Sequence, residues 1–456
     1  MTSLDVFSGK FHYDSSEDEY EGELHIEKTT NTITLTLTIS SSELDVMPSF
    51  PSDVEFEAIY GKLLSGKSVL LYRCFVVNGG NHKSYVKQGL NYTTQVIRAS
   101  YLFESDIVLG NEGLLLTSAQ VDFGDILQWA NLCHYKWDGD DTSWNPIWIE
   151  SEPRTINVRD DLQVIFVPSR SIGILDDYRE KIELNQKIFT KFKYKNPVKW
   201  DVFIEDIKRI EYLIGLGLQR KVHFEGIFCQ LLDTRSENDL IDSLWDNEVI
   251  LGIGKTENIK NLHPYFFLYN LQTITDEIHF PKWIEHFDML KPILDLYFLV
   301  LDNQYNLTPE LVFLNLVQAL ETYHARFVTN NVRKYITRAK TLVANYVNYK
   351  RWLTFLCDEG QRTSRKIYLK SRLADLMFAD GQNLERDSQF IQKIVDTRNY
   401  YTHYDPKKIN RSFTPAELSK VNYKLMLLLE YHILKLLGFE ESELRKKYIE
   451  NINRLT

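Results

Sequence analysis

The hydrophobic period of this chain changes part-way along it, and one type of element cannot satisfy both halves. Residues 32–39 read Thr-Ile-Thr-Leu-Thr-Leu-Thr-Ile. Strict alternation, with threonine on the polar side, marks a strand with one buried face. Val54–Tyr60, Ser68–Val77, Thr94–Phe103 and Leu162–Val167 behave alike, with turns such as Asn78-Gly79-Gly80-Asn81 between them. Strands at this density predict an antiparallel sandwich or barrel-like domain. From Pro281 onward the period is helical. Trp283–Leu301 is amphipathic to fully apolar, and Leu311, Leu314, Val317 and Leu320 recur on one face of a helix running to Phe327.

With 456 residues the chain is too long for one core. The expected class is α+β and multidomain: an N-terminal antiparallel β-rich domain with an α+β extension, then a C-terminal all-α helical bundle. The β part spans about residues 1–170 and the extension about 171–280. The extension rests on a helical pattern at Val202–Gly215 and a strand pattern at Val222–Cys229. The bundle takes residues 281–456. Helix boundaries are marked in it. Thr308-Pro309-Glu310 places a cap hydroxyl, a proline at the first helical position and an acid in the first turn. Thr414-Pro-Ala-Glu417 is a capping box opening a helix that Gly438 closes. Arg333–Val347 and Ser388–Thr402 are further helices, the second stopped by Asp405-Pro406.

The ends and the cysteines bear on compartment. Met-Thr-Ser-Leu-Asp-Val-Phe has neither the basic nor the apolar region of a signal peptide. The most apolar stretch, Ile293–Leu301, is broken by Asp295 and far too short for a membrane span. The four cysteines are scattered without redox or metal spacing. A cytoplasmic protein with free thiols, no cofactor, no metal and no membrane association is expected. Gly252-Ile-Gly254-Lys255-Thr256 lacks the earlier glycine of a phosphate-binding loop, since Val249 stands there, and is read as a turn.

A net charge of −10 argues against a general nucleic-acid coat. Locally the balance reverses: residues 331–372 carry eleven Lys and Arg against two acids, with Tyr and Trp interleaved. Arg333, Lys334, Arg338, Arg362, Arg365 and Lys366 belong to this segment. It reads either as a polyanion footprint or as a solvated helix face.

Residues 394–405, Ile-Val-Asp-Thr-Arg-Asn-Tyr-Tyr-Thr-His-Tyr-Asp, carry the chemistry. Phe390, Ile391, Ile394 and Val395 form an apolar stripe whose continuation reaches Arg398 and Asn399, then Thr402 and His403. A cation, an amide and an imidazole on or beside an inward face cost free energy unless paired or used. The set suits RNA cleavage. Imidazole exchanges protons near neutral pH, guanidinium presents a fixed fork to phosphate, and an amide can hold the imidazole or bond the phosphate.

Arg398-Asn-Tyr-Tyr-Thr-His403 resembles the Arg-x(4–6)-His motif of the HEPN superfamily, with the polar residue that typically follows the arginine. Leu311–Phe327, with Leu-Glu-Thr-Tyr-His at 320–324, is similar to the first helix of that domain. Phe7-Ser-Gly-Lys-Phe11, then Tyr20-Glu-Gly-Glu-Leu24 and an alternating strand, resemble the β-rich N-terminal domain of ApeA-type anti-phage proteins. The resemblance implies a metal-independent endoribonuclease acting in defence on RNA, tRNA included. It also implies a homodimer or higher even oligomer whose motifs line one cleft, and a phage-derived trigger at the N-terminal domain. On it, Arg398 contacts the phosphate, His403 is the general acid or base, and Asn399 orients or contacts phosphate. Tyr401 and Tyr404 stack on bases or, more readily, pack the dimer seam. Glu321 and His324 either face the cleft or form a surface or satisfied core pair. Two other readings stand beside this one. The first is a non-catalytic HEPN-like module binding nucleotide, RNA or a partner protein through the basic segment. The second is a carbohydrate or peptide binder led by the β domain.

Overall fold

The computed structural model describes residues 4–14, 18–27, 32–41, 49–77, 83–87, 90–105, 114–133, 135–139, 144–174, 182–222, 224, 226–231, 247–251, 267–302, 306–357, 366–378 and 384–453. Arg362, Arg365, the turn at 78–81 and the segment 252–256 lie outside them. The chain divides into two compact units, Met1–Glu211 with Val222–Tyr265, and Tyr212–Lys221 with Phe266–Thr456.

The first unit opens with β1 (Leu4–Tyr13), β2 (Tyr20–Glu27), β3 (Thr32–Ser41), β4 (Glu55–Leu63), β5 (Ser68–Val76), β6 (Lys83–Lys87) and β7 (Leu90–Ser105). The order β7-β3-β2-β1-β4-β5, with β5 pairing back to β7, closes a six-stranded antiparallel barrel. Alternation dictates its filling: Leu24, Ile26, Ile33, Leu35, Leu37, Ile59, Leu71 and Ile97 point into one core. The interior is tight. A Cβ at Gly61 would overlap the Phe11 ring, so only glycine fits there. β7 is long enough to serve two partners along one edge, β3 over Asn91–Ala99 and then β15 (Asn247–Leu251) over Tyr101–Phe103.

The sheet runs on through β15 to β14 (Gly226–Leu231), β8 (Leu115–Asp122), β13 (Ile182–Lys199), β12 (Leu162–Ile174) and β11 (Arg154–Arg159). β9 (Tyr135–Gly139) and β10 (Trp144–Trp148) form a separate hairpin, preceded by the short α1 (Leu127–Ala130). α2 (Trp200–Leu218) follows β13 directly and buries Trp200, Phe203, Ile204 and Ile207. Its buried Asp206 accepts both Nη groups of Arg159 at 2.7 Å and the Tyr194 hydroxyl at 2.9 Å.

The second unit is helical: α3 (His279–Asp302), α4 (Pro309–Tyr323), α5 (Val332–Val343), α6 (Tyr349–Leu356), α7 (Leu369–Phe378), α8 (Leu384–His403), α9 (Pro415–Leu437) and α10 (Glu441–Asn453). α9 is its spine, burying Leu418, Leu425, Leu428, Leu429, Ile433 and Leu437. The capping box forms as expected: Glu417 N–H donates to the Thr414 hydroxyl, and the Glu417 carboxylate accepts Thr414 N–H at 2.8 Å. Gly438 ends the helix at φ 97°, a left-handed conformation that disfavours a side chain. α5 stops at Val343, short of the expected Val347, α8 starts at Leu384, before the expected Ser388, and two further boundaries differ from expectation. The Thr308 hydroxyl caps nothing; its carbonyl accepts Val312 N–H, and Pro309 alone sets the entry. The helix from Pro309 also leaves α geometry at His324, where the π turn His324–Val328 begins and carries His324 into the core. Cys74, Cys133, Cys229 and Cys357 form no disulfide. Among the described residues, no helix is long and apolar enough to cross a membrane.

α9 also buries an acid. Glu430 is 2% exposed and accepts the Tyr297 hydroxyl at 2.6 Å and the Gln219 amide at 2.8 Å on one oxygen. Burial pushes its carboxyl up to about 7, from the ordinary 4.5. The folded state therefore holds a proton that the unfolded chain has released between those values, and stability falls as pH rises through this window. Glu430→Gln keeps the volume and an acceptor while abolishing the titration. Its stability advantage over wild type should grow by roughly 3 kcal/mol between pH 4.5 and 8. Parallel urea-unfolding profiles for the two proteins across this range would contradict that.

Candidate active site

α8 buries Ile391, Ile394 and Thr397. The Thr397 hydroxyl bonds the Lys393 carbonyl and accepts Phe413 N–H at 2.9 Å, so the helix is tied to the chain entering α9. This stripe sets the orientation of the motif. Arg398 and Asn399 flank it and are half-buried, with Arg398 Nη1 donating to Asn399 Oδ1 at 3.4 Å. Thr402 and His403 are exposed, which corrects the inward position expected for them. His403 is the last residue of α8; Tyr404 turns to φ 49° and ends the helix. Five residues along an α-helix correspond to about 140° of rotation. Arg398 and His403 therefore leave α8 in different directions.

Arg398 and Asn399 open onto a groove of about 450 Å³. Gln392 and Val395 join them from α8, Glu321 comes from α4, and residues 366–370, leading into α7, complete the lining. Two of the expected residues, Glu321 and Lys366, thus meet Arg398 and Asn399 at one place, and His403 is not among the lining side chains. Lys370, Tyr368 and Gln392 were not anticipated as groove residues, because segments 366–370 and 392–399 converge only in three dimensions.

His324 does not face this groove. It is fully buried, with Nε2 2.9 Å from Asp375 Oδ2 and Nδ1 3.2 Å from Arg372 Nη1. With the proton on Nε2, both ring nitrogens are satisfied. Asp375 accepts Arg338 Nε on both oxygens at 2.9 Å. Arg372 donates to Asn330 Oδ1 at 2.7 Å and lies 3.9 Å from Glu321. Arg338 is thus engaged by a buried carboxylate and is not a free cation of the footprint. The i,i+3 pair Arg372 and Asp375, placed among apolar residues of α7, was the available sequence signal for this network.

Arg333, Lys334 and Lys366 are exposed. Tyr401 is half-buried, its ring 5.0 Å from Tyr400 and its hydroxyl donating to the Phe413 carbonyl at 3.4 Å. Burial, then the nearby Glu310 carboxylate, raise its phenol above the ordinary range. Tyr404 is 70% exposed and packs edge-on to Tyr400. Among the described residues no group of three His, Cys, Asp or Glu is placed to hold a metal ion.

The family model of ApeA N-terminal domain 1 matches residues 7–285, well over half of the chain. The chain belongs to the ApeA family. A second match, Apea-like HEPN, covers residues 314–443. The HEPN region of this ApeA-family chain therefore contains the whole of α8, the groove and the His324 network. No curated protein and no solved structure matches the chain.

Proposed function

We propose that this ApeA-family protein is a metal-independent endoribonuclease of prokaryotic anti-phage defence, acting in the cytoplasm on RNA, with tRNA among its substrates. The observation that carries the reading is the placement of Arg398 and Asn399 on a groove that also carries Lys366 and Lys370, with His403 exposed at the end of the same helix, inside the HEPN match. His403 takes the proton of a ribose 2′-hydroxyl, and the 2′-oxygen forms a bond to phosphorus. The bond from phosphorus to the 5′-oxygen breaks, and that oxygen leaves with a proton supplied by solvent water. Arg398 holds the phosphate oxygens as charge builds on them. The products are a 2′,3′-cyclic phosphate and a 5′-hydroxyl.

The divergent directions of Arg398 and His403 favour a cleft assembled from two chains, in a homodimer or higher even oligomer. The N-terminal unit would restrain the nuclease until a phage-derived trigger reaches it. The test is incubation of the full chain with total cellular RNA in EDTA, alone and with extract of infected cells. Discrete fragments with cyclic phosphate ends are expected, and a substrate 2′-deoxy at the cut position should be inert. RNA that stays intact in both conditions, yet is retained by the protein on a filter, would establish the binding-module reading instead.

A further inference from the structure

The groove beside Arg398 has a composition that phosphate binding alone does not explain. Lys366, Lys370 and Arg398 make it attractive to a polyanion, yet Glu321 lines it as well. A carboxylate there would repel a phosphate, so it must meet a different part of the substrate. Glu321 is not turned away into the protein. Its side chain is 39% exposed, and it lies 3.9 Å from the Arg372 guanidinium. Arg372 is 7% exposed and bonded to His324 and Asn330, and its Nε makes no hydrogen bond among the described residues. With 3.9 Å between Arg372 Nε and Glu321 Oε1, the guanidinium attracts the carboxylate by its charge and not through a hydrogen bond from that nitrogen.

We infer that this groove is a nucleobase subsite selective for guanine, next to the phosphate held by Arg398. The inference rests on the ribonuclease reading for the identity of the substrate as RNA. A carboxylate accepts only, so it selects bases by the donors they present. Guanine alone offers two adjacent donors, N1–H and the N2 amine, matching the two oxygens of one carboxylate. Adenine and cytosine offer a single amine next to an acceptor, and uracil a single imino group between two carbonyls. Each would place a lone pair against Glu321. Tyr368, 36% exposed, also lines the groove, and a tyrosine there is the kind of residue on which unpaired bases stack. The groove volume, about 450 Å³, is within the usual range for small-ligand sites, roughly 300–1,000 Å³.

The test is equilibrium binding of 5′-GMP, 5′-AMP, 5′-CMP and 5′-UMP to the full chain and to Glu321→Gln, with circular dichroism confirming the fold of the variant. GMP should bind wild type about tenfold more tightly than the others, the scale of one bidentate base contact. The preference should vanish in Glu321→Gln, whose amide presents one acceptor and one donor. Equal binding of all four, no binding of any, or a guanine preference that survives the substitution would each overturn the inference. Cleavage does not enter this measurement. RNA cleavage without guanine preference would remove the subsite alone, and guanine binding without cleavage would remove the ribonuclease reading alone.

Discussion

Arg398→Ala and His403→Ala should each reduce RNA cleavage by about 10²–10⁴-fold, the range for losing a proton-transfer group or a donor to developing phosphate charge. Arg398→Lys should recover little, because an ammonium does not reproduce the planar fork. The effect should be on cleavage and not on folding: His403 is exposed at a helix end, and Arg398 is half-buried on a groove wall. The sharper result comes from mixing the two inactive proteins. If one phosphate is served by Arg398 of one chain and His403 of its partner, a mixed dimer holds one intact site and one lacking both groups. Random reassortment then returns about a quarter of wild-type activity. If both residues of one chain serve the same phosphate, neither chain of the mixture has a complete pair and nothing returns. The opposed directions of the two side chains on α8 favour recovery. A flat baseline in the mixture, with reassortment verified, would place the whole pair within one chain.

How much of this was readable depended on whether the information was local. Thr32–Ser41 alternates so strictly that its strand and buried face follow from sequence alone, and the Thr414 box did the same for α9. Barrel closure did not, because it depends on β5 finding the far half of β7, a non-local pairing without a mark on either strand. The orientation of α8 was misjudged for a specific reason. Val395 is apolar but half-buried, and counting it with Ile391 and Ile394 rotates the expected face towards Thr402 and His403, whereas Phe390 lies on the side of Thr397. The true stripe continues through Thr397, a polar residue whose hydroxyl is satisfied by backbone and so is cheap to bury. Arg338 was read as a footprint cation because its partner, Asp375, lies 37 residues further on. The groove escaped for the same reason: the motif gave Arg398 and Asn399, and the rest of the lining comes largely from other segments.

The scaffold next to that groove should fail sharply when its acid is removed. Asp375 is 1% exposed and is the single carboxylate on which His324 and Arg338 converge. Asp375→Ala leaves the buried His324 Nε2 without its acceptor and leaves Arg372, on the other side of the ring, as buried charge 3.9 Å from Glu321. Breaking a buried ionic network by deleting one member costs about 3–5 kcal/mol, since the remaining groups stay desolvated. The same contact cut from the other end should cost far less. The Arg338 side chain is 44% exposed and its share is screened by water, so Arg338→Ala should lose about 1 kcal/mol or less. Asp375→Asn, which keeps the volume and one acceptor, should fall between them. Urea unfolding of the three variants, followed by far-ultraviolet circular dichroism of the helical transition, reads the order directly. Equal losses for Asp375→Ala and Arg338→Ala would mean that the ion pair with Arg338, and not the burial of His324 and Arg372, is what Asp375 stabilises. In the expected order, the π turn at His324 is the device that brings an imidazole between two cations and one acid. Arg372, fixed there, keeps its charge 3.9 Å from Glu321, which lines the groove.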